Sequence, residues 1–138
     1  MNEIKVINLL NQRGMKFKKA EDQYSCFDAF DDDKKFIAEM KHRTKYYDSC
    51  LIERKKFDSN KIYCKENGYR FIYVVSMPYE DKTRTFIFEP FKLEKENYDF
   101  GWEKKKCPKT TEFRSKRKIN KNVGYIDIKK AKVVLNHT

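Results

Sequence analysis

The sequence contains few of the residues that build structural zinc sites or disulfide scaffolds. Its 138 residues include four cysteines and two histidines, and no two cysteines form a C-x-x-C pair. Structural zinc normally takes four Cys or His ligands at close spacing, and disulfide scaffolds need a dense framework of cysteines. We therefore expect neither kind of site. This cysteine usage is typical of a protein in the reducing cytoplasm.

Long apolar runs are also missing from the sequence. No stretch approaches the roughly 20 residues that a transmembrane helix needs. The opening residues, MNEIKVINLL, do not have the pattern of a secretory signal peptide. The length suits one domain with a core of its own and is too short for two. We therefore expect a single domain over residues 1–138 with a cytoplasmic location.

Acidic residues are scarce in the last third of the chain. The net charge is +11, and between Lys104 and Lys132 twelve Lys or Arg residues accompany only two acidic residues. This segment therefore carries most of the net charge, and such a basic segment beside a nearly neutral core is typical of nucleic-acid-binding proteins. The alternative is a lysine-rich soluble surface. The interleaved aromatic residues Trp102, Phe113 and Tyr125 argue against it.

Hydrophobic periodicity predicts a mixed α/β sheet with helices beside it. We expect a core over about 2–90 and a basic extension over about 91–138. The predicted elements are a helix from Asn2 to Gly14, strands over 24–30 and 35–41 with a turn at 31–33, a helix over 48–67 with a break near 58–60, strands over 69–77, 83–89 and 124–128, and an apolar end over 132–135.

The segment FDAFDDDKKFIAEMK contains the residues with the clearest chemistry. On a strand, alternate side chains share a face, so Ile37, Glu39 and Lys41 are expected together. Asp28 lies on the preceding strand and reaches the same end of the hairpin. Two carboxylates suit Mg²⁺, and a nearby lysine suits the attacking water and the charge of phosphodiester cleavage.

Other interpretations of these residues remain open. A Glu-x-Lys pair on a strand is also explained by a same-face ion pair at a solvated sheet edge. Asp31, Asp32 and Asp33 offer competing carboxylates, but consecutive acids on a turn do not converge on one metal, so a hydrophilic turn is favoured. His42 follows Lys41 and is expected to face the opposite side of the strand.

The order of helix, strand with Asp28, turn, strand with Glu39-x-Lys41, helix and strand resembles the PD-(D/E)XK nuclease superfamily. Within it, residues 2–90 are similar to Holliday-junction resolvases and small phage nucleases. The resemblance implies a restriction-endonuclease-like fold, a homodimer, a phage or bacterial context, and Mg²⁺ or Mn²⁺. Asp28, Glu39 and the Met40 carbonyl would ligate the metal, Lys41 would assist the water, and Glu3 would be an auxiliary acid. Phe27 replaces the motif's proline.

Several basic and hydroxyl side chains are candidates for contacts with nucleic acid. Lys55 and Lys56 would bind phosphate or add a second lysine to the site, or alternatively lie on a solvated helix face paired with Glu53. Residues after the second strand and in the basic segment would hold the nucleic-acid backbone. The candidates are Arg43, Lys45, Lys55, Lys56, Lys109, Thr110, Arg114, Lys116, Arg117, Lys118 and Lys121.

Taken together, the residues and the resemblance predict a metal-dependent endonuclease that hydrolyses DNA, and the resemblance to resolvases implies selectivity for DNA structure. Two alternatives belong to other classes. One is a non-catalytic nucleic-acid-binding protein with a nuclease-like fold, and the other is a small basic protein that binds an acidic protein surface. Metal binding separates the first alternative from the nuclease, and nucleic-acid affinity at physiological salt separates the second.

Overall fold

A six-stranded mixed sheet forms the centre of the fold, and a three-stranded sheet packs against one of its faces. The computed structural model describes residues 3–21, 27–108 and 118–137. Its elements are α1 (Glu3–Gln12), β1 (Lys18–Lys19), β2 (Ala29–Asp31), β3 (Phe36–His42), β4 (Ser49–Glu53), α2 (Arg54–Asn67), β5 (Arg70–Tyr79), β6 (Lys82–Phe88), α3 (Pro90–Lys95), β7 (Glu103–Pro108), β8 (Lys118–Asp127) and β9 (Val133–His137). None of the helices in these ranges is long and apolar enough to cross a membrane.

The strand order of the large sheet is β1-β2-β3-β5-β6-β9, and that of the small sheet is β4-β8-β7. Strands β3 and β5 are parallel, whereas the other pairs are antiparallel. A parallel pair needs a crossover connection, and β4 with α2 supplies it here. The result is the predicted mixed α/β architecture.

The large sheet is buried on both faces. On one face, Val6 and Leu10 of α1 belong to a cluster with Ala38 and Met40 of β3. On the other face, Ile37 packs in a cluster with residues of β5, α2 and the small sheet. Because side chains alternate along β3, Glu39 lies on the same face as Ile37. The predicted catalytic strand therefore presents its carboxylate to the space between the two sheets.

The predicted helix over 48–67 is wrong in its first part. Residues 49–53 form strand β4, and α2 begins at Arg54 and continues without the expected break to Asn67. Cys50 and Ile52 alternate as buried residues, and β4 pairs with the distant strand β8. This pairing overrides a composition that is helical when read locally. The helix ends at Gly68, which has the positive φ of 73° that a helix-terminating glycine adopts readily.

The described part of the predicted basic extension contributes strands to both sheets. Strand β8 pairs with β4 and β7, and β9 pairs with β6. A methyl group added at Gly124 would lie 2.8 Å from a carbon of the Trp102 ring, so the indole packs where only glycine leaves room. The sequence analysis missed α3 and β7, and it recognised only the end of β8. Residues 104–108 and 118–132 of the basic segment thus belong to the folded structure.

Candidate active site

Asp28 is fixed beside β3 by its backbone and its carboxylate. Its amide donates a hydrogen bond to the Ala38 carbonyl at 2.8 Å, and its Oδ2 accepts one from the Met40 amide at 2.7 Å. Because Ala29 pairs with Ala38, the next residues along this antiparallel hairpin are Asp28 and Glu39. The short spacing between the two acids is therefore accommodated by a tight hairpin, and the two residues meet as predicted.

Glu39 is a buried carboxylate with two lysine partners. Its side chain is 4% exposed, and Oε1 lies 3.3 Å from the Lys56 Nζ and 3.9 Å from the Lys41 Nζ. Burial raises the pKa of Glu39, and the two ammonium groups oppose that increase. A charge on this strand without such partners would be costly. The carboxylate is thus enclosed on an interior strand of the sheet, and the alternative of a solvated pair at a sheet edge is wrong.

The two lysines differ in their electrostatic surroundings. Burial lowers the pKa of Lys41, and the charge of Glu39 counteracts this only in part. Burial also disfavours the charged form of Lys56, but Glu39 and Glu53 outweigh it, so the pKa of Lys56 is raised. Lys41 is therefore the more readily deprotonated of the pair, while Lys56 is held as a cation beside Glu39.

Glu53 is a site residue whose position the sequence analysis did not find. It lies where β4 meets α2, and its Oε1 accepts a hydrogen bond from the Lys121 Nζ at 2.7 Å. Burial would raise the pKa of Glu53, but the Lys121 hydrogen bond and the nearby lysine charges lower it overall. This ion pair connects the small sheet to the lysines around Glu39.

Glu3 approaches the same cluster from the first turn of α1. Burial and the charge of Asp28 raise the pKa of Glu3, while Lys19 and Lys41 act in the opposite direction. The first turn of a helix also favours an acidic side chain through the helix dipole. Glu3 thus lies within the electrostatic reach of Asp28 and Lys41, and its role as an auxiliary acid stays a prediction.

The other candidates from the sequence occupy several different positions. Asp31 is fully buried and accepts hydrogen bonds from the amides of Lys16, Asp33 and Lys34, which supports the predicted turn. His42, Lys45 and Lys55 are exposed. Arg43 follows β3, and its amide donates to the Ser76 carbonyl. Lys118 begins β8. Lys109, Thr110, Arg114, Lys116 and Arg117 lie outside the described residues.

The donors around Glu39 suit a small hard cation better than zinc. Over residues 3–21, 27–108 and 118–137, no group of three His, Cys, Asp or Glu side chains is arranged to hold a metal by itself. Mg²⁺ commonly uses only one or two protein carboxylates and completes its coordination with water and substrate phosphate. Asp28 and Glu39 fit that pattern, and their oxygen donors match a cation of this type.

No protein-family model and no curated protein sequence matches the chain. The fold is similar to that of Hjc, a Holliday junction resolvase from the archaeal hyperthermophile Archaeoglobus fulgidus. The TM-score is 0.56 with 16% sequence identity, and the match covers 96% of this chain and 94% of the resolvase chain. This likeness supports the predicted restriction-endonuclease-like mixed sheet flanked by helices. At such low identity it shows the fold alone.

Proposed function

We propose that the chain is a metal-dependent endonuclease that hydrolyses DNA phosphodiester bonds and selects its substrate by DNA structure, as a resolvase does. One observation carries this proposal. The carboxylate of Glu39 is buried between two lysines and lies beside Asp28. The Asp28 carboxylate accepts a hydrogen bond from the Met40 amide of the same strand. The similarity of the whole fold to that of a resolvase supports the choice of a phosphodiester substrate.

Each residue of the cluster has a role in this proposal. Asp28, Glu39 and the Met40 carbonyl would hold Mg²⁺ or Mn²⁺, and a bound cation offsets negative charge on the phosphate. Lys41 positions the attacking water and helps remove its proton. As water attacks phosphorus, the ester P–O bond breaks and the leaving sugar oxygen takes a proton. Glu3 would serve as an auxiliary acid beside Asp28.

Lys56 and Lys121 are both paired with carboxylates of the site, so their proposed roles differ from the predicted contact with nucleic acid. Lys56 lies 3.3 Å from Glu39 and would balance its charge until metal and phosphate arrive. Lys121 is paired with Glu53, so it would order the site instead of meeting the DNA backbone freely. The proposed contacts with the DNA backbone remain Arg43, Lys45, Lys55, Lys109, Thr110, Arg114, Lys116, Arg117 and Lys118. A homodimer is part of the proposal because a junction presents two symmetric strands.

The test of the proposed activity uses a panel of labelled DNA substrates. The full chain is incubated with a four-way junction, a flap, a nicked duplex and a linear duplex, with Mg²⁺ or with a chelator. We expect cleavage that requires the metal and favours a branched substrate. Binding without cleavage of any substrate would instead favour the non-catalytic nucleic-acid-binding protein.

The contribution of the basic segment is tested through the salt dependence of binding. We expect replacement of Lys116, Arg117 and Lys118 by alanine to weaken binding to all sequences alike, because phosphate contacts carry no base information. The slope of log K against log salt should fall by up to about 0.9 for each phosphate of duplex DNA that is no longer neutralised. Fluorescence anisotropy from low to high salt measures this slope.

A matched variant separates this effect from a general loss of positive charge. Lys65, Lys82 and Lys95 are exposed lysines outside the basic segment, and their triple alanine variant should keep the wild-type slope. Cleavage at saturating DNA should survive in both variants. An unchanged slope in the first variant would mean that residues 116–118 do not touch phosphate.

A further inference from the structure

A cavity of about 260 Å³ opens next to the proposed active site, beyond the end of β3. Val75 and Met77 of β5 form part of its lining, and Val75 is the strand partner of Lys41. The cavity therefore begins beside the lysine that we assign to the attacking water. None of the proposed roles of Asp28, Glu39 or Lys41 requires this space.

Two tyrosines line the cavity, and a hydrogen bond holds each of them, through the backbone at Tyr47 and through the side chain at Tyr125. Tyr47 is 48% exposed, and its amide donates a hydrogen bond to the Met77 sulfur at 3.3 Å. The Tyr125 hydroxyl donates to a Glu103 carboxylate oxygen at 3.0 Å. Aromatic rings beside cationic side chains are common surfaces on which unpaired bases stack.

Two cationic side chains also line the cavity. Arg43 lies just beyond β3, and Lys105 lies on β7 with its Nζ 5.8 Å from the centre of the Tyr125 ring. Lys105 is the strand partner of Lys121, which is bonded to Glu53 in the active-site cluster. Lysine side chains on β7 and β8 therefore lie between the Glu53 ion pair and the cavity.

The size and lining together restrict what the cavity can accept. Its volume far exceeds the roughly 30 Å³ of a single water molecule and lies just under the range of about 300–1,000 Å³ for drug-sized ligands. A flat group of one or two rings fits this space. An apolar peptide would leave the two cations unpaired, and a phosphate ion alone would make no use of the two aromatic rings.

We propose that the cavity receives a nucleobase that is unpaired beside the scissile phosphate. The preferred substrate would then be a DNA strand with an extruded or unpaired base at that place, as in a bulge, a flap or a branch point. A base inside a regular duplex has its faces covered by its neighbours and cannot enter such a pocket without leaving the stack. The connection to cleavage rests on the proposed nuclease function, but the binding of the base does not.

The experiment measures binding in the Asp28→Asn chain without added metal, so that cleavage plays no part. Three duplexes of the same sequence are compared: fully paired, with one extra unpaired adenine, and with an abasic sugar in place of that adenine. We expect the adenine bulge to bind more tightly than the other two. The abasic duplex bends and opens similarly but has no base to stack, so it isolates the contribution of the base.

Tyrosine variants then assign the effect to the cavity. Tyr125→Leu and Tyr47→Leu should each weaken binding of the adenine bulge by roughly 5- to 150-fold, the range expected when one aromatic ring no longer stacks on a base. Binding of the paired and abasic duplexes should not change. Tyr125→Phe keeps the ring and should keep the preference. Tyr63→Leu removes another partly exposed tyrosine, on α2 and outside the cavity lining, and is the matched control.

Two results would overturn the proposal. The first is an adenine bulge that binds no more tightly than the abasic duplex, and the second is a preference that survives in both leucine variants. Circular dichroism identifies a leucine variant that fails to fold. If Tyr125→Leu is unfolded, the binding measured with Tyr47→Leu tests the proposal. A chain that cuts no DNA but shows the tyrosine-dependent preference would contradict the nuclease proposal and support the base pocket.

Discussion

Asp28→Asn and Glu39→Gln should each remove detectable cleavage while DNA binding persists. Both carboxylates are assigned to the metal, and neither is assigned to the DNA backbone. Loss of one electrostatic group typically costs about 10²–10³ in rate, and loss of a metal ligand should exceed that. Removing negative charge next to phosphate should also leave affinity unchanged or increase it. Single-turnover cleavage and anisotropy at the same salt concentration measure the two effects.

Asp33→Asn is the matched control for these variants. Asp33 is an exposed acid of the turn between β2 and β3, where it pairs with Lys16 at 2.8 Å. Its carboxylate is neutralised in the same way as in Asp28→Asn, yet cleavage should remain at the wild-type rate. Full activity in either site variant, or loss of activity in the control, would contradict the assignment.

The Glu39→Gln variant should also stay folded at neutral pH. Burial raises the pKa of Glu39 in the folded state. A carboxyl with a raised folded pKa contributes stability at low pH, and that contribution is lost as the pH rises through the folded pKa. The ionised side chain therefore lowers stability at neutral pH, and glutamine removes this cost while leaving Lys41 and Lys56 without their counter-charge. Thermal unfolding followed by circular dichroism, compared between Glu39→Gln and the wild type at neutral pH, measures the net effect on stability.

Local patterns were enough to predict the hairpin that brings Asp28 beside Glu39. The alternation from Ile37 to Lys41 defines a strand and places Glu39 and Lys41 on one face. The acidic turn before it returns the chain, and Asp28 then falls opposite Glu39. These relations involve neighbours in sequence, so strand periodicity and turn chemistry determine them without reference to the rest of the chain.

Relations between distant segments were not predictable in this way. Strand β4 has a composition that suits a helix, and it is a strand because β8 supplies a partner. Glu53 and Lys121 are 68 residues apart in the sequence, and their ion pair exists only once that pairing has formed. No local signal at Glu53 distinguishes it from an ordinary acid at the start of a helix.

The choice between Lys55 and Lys56 depended on the same pairing. Consecutive residues on an α-helix point about 100° apart, so only one of two adjacent lysines can face the site. The structure places Lys56 against Glu39 and leaves Lys55 exposed. A helix predicted to start near Asp48 does not show which of the two lysines faces the sheet. The true start of the helix, at Arg54, is set by the end of β4.

Lys41→Ala should lower the cleavage rate by roughly 10²–10⁴, the range for loss of an acid–base or electrostatic group. Burial acts on both lysines, but only the pKa of Lys41 is lowered overall, so Lys41 is the better placed to take a proton from water. Metal affinity should change little, since Asp28 and Glu39 remain. Single-turnover rates with saturating DNA and metal, together with a Mn²⁺ titration, measure both quantities.

Alanine variants of Lys55 and Lys56 on α2 show whether the effect of Lys41→Ala is more than the loss of one positive charge. Lys55→Ala removes an exposed cation on the same helix as Lys56 and should leave the rate unchanged. Lys56→Ala removes the closer partner of Glu39, so it should alter Mn²⁺ affinity, because the cation and the ammonium group compete for the same carboxylate. If Lys41→Ala unfolds the chain or changes Mn²⁺ affinity as Lys56→Ala does, then Lys41 is a structural partner of Glu39 and has no direct part in the reaction.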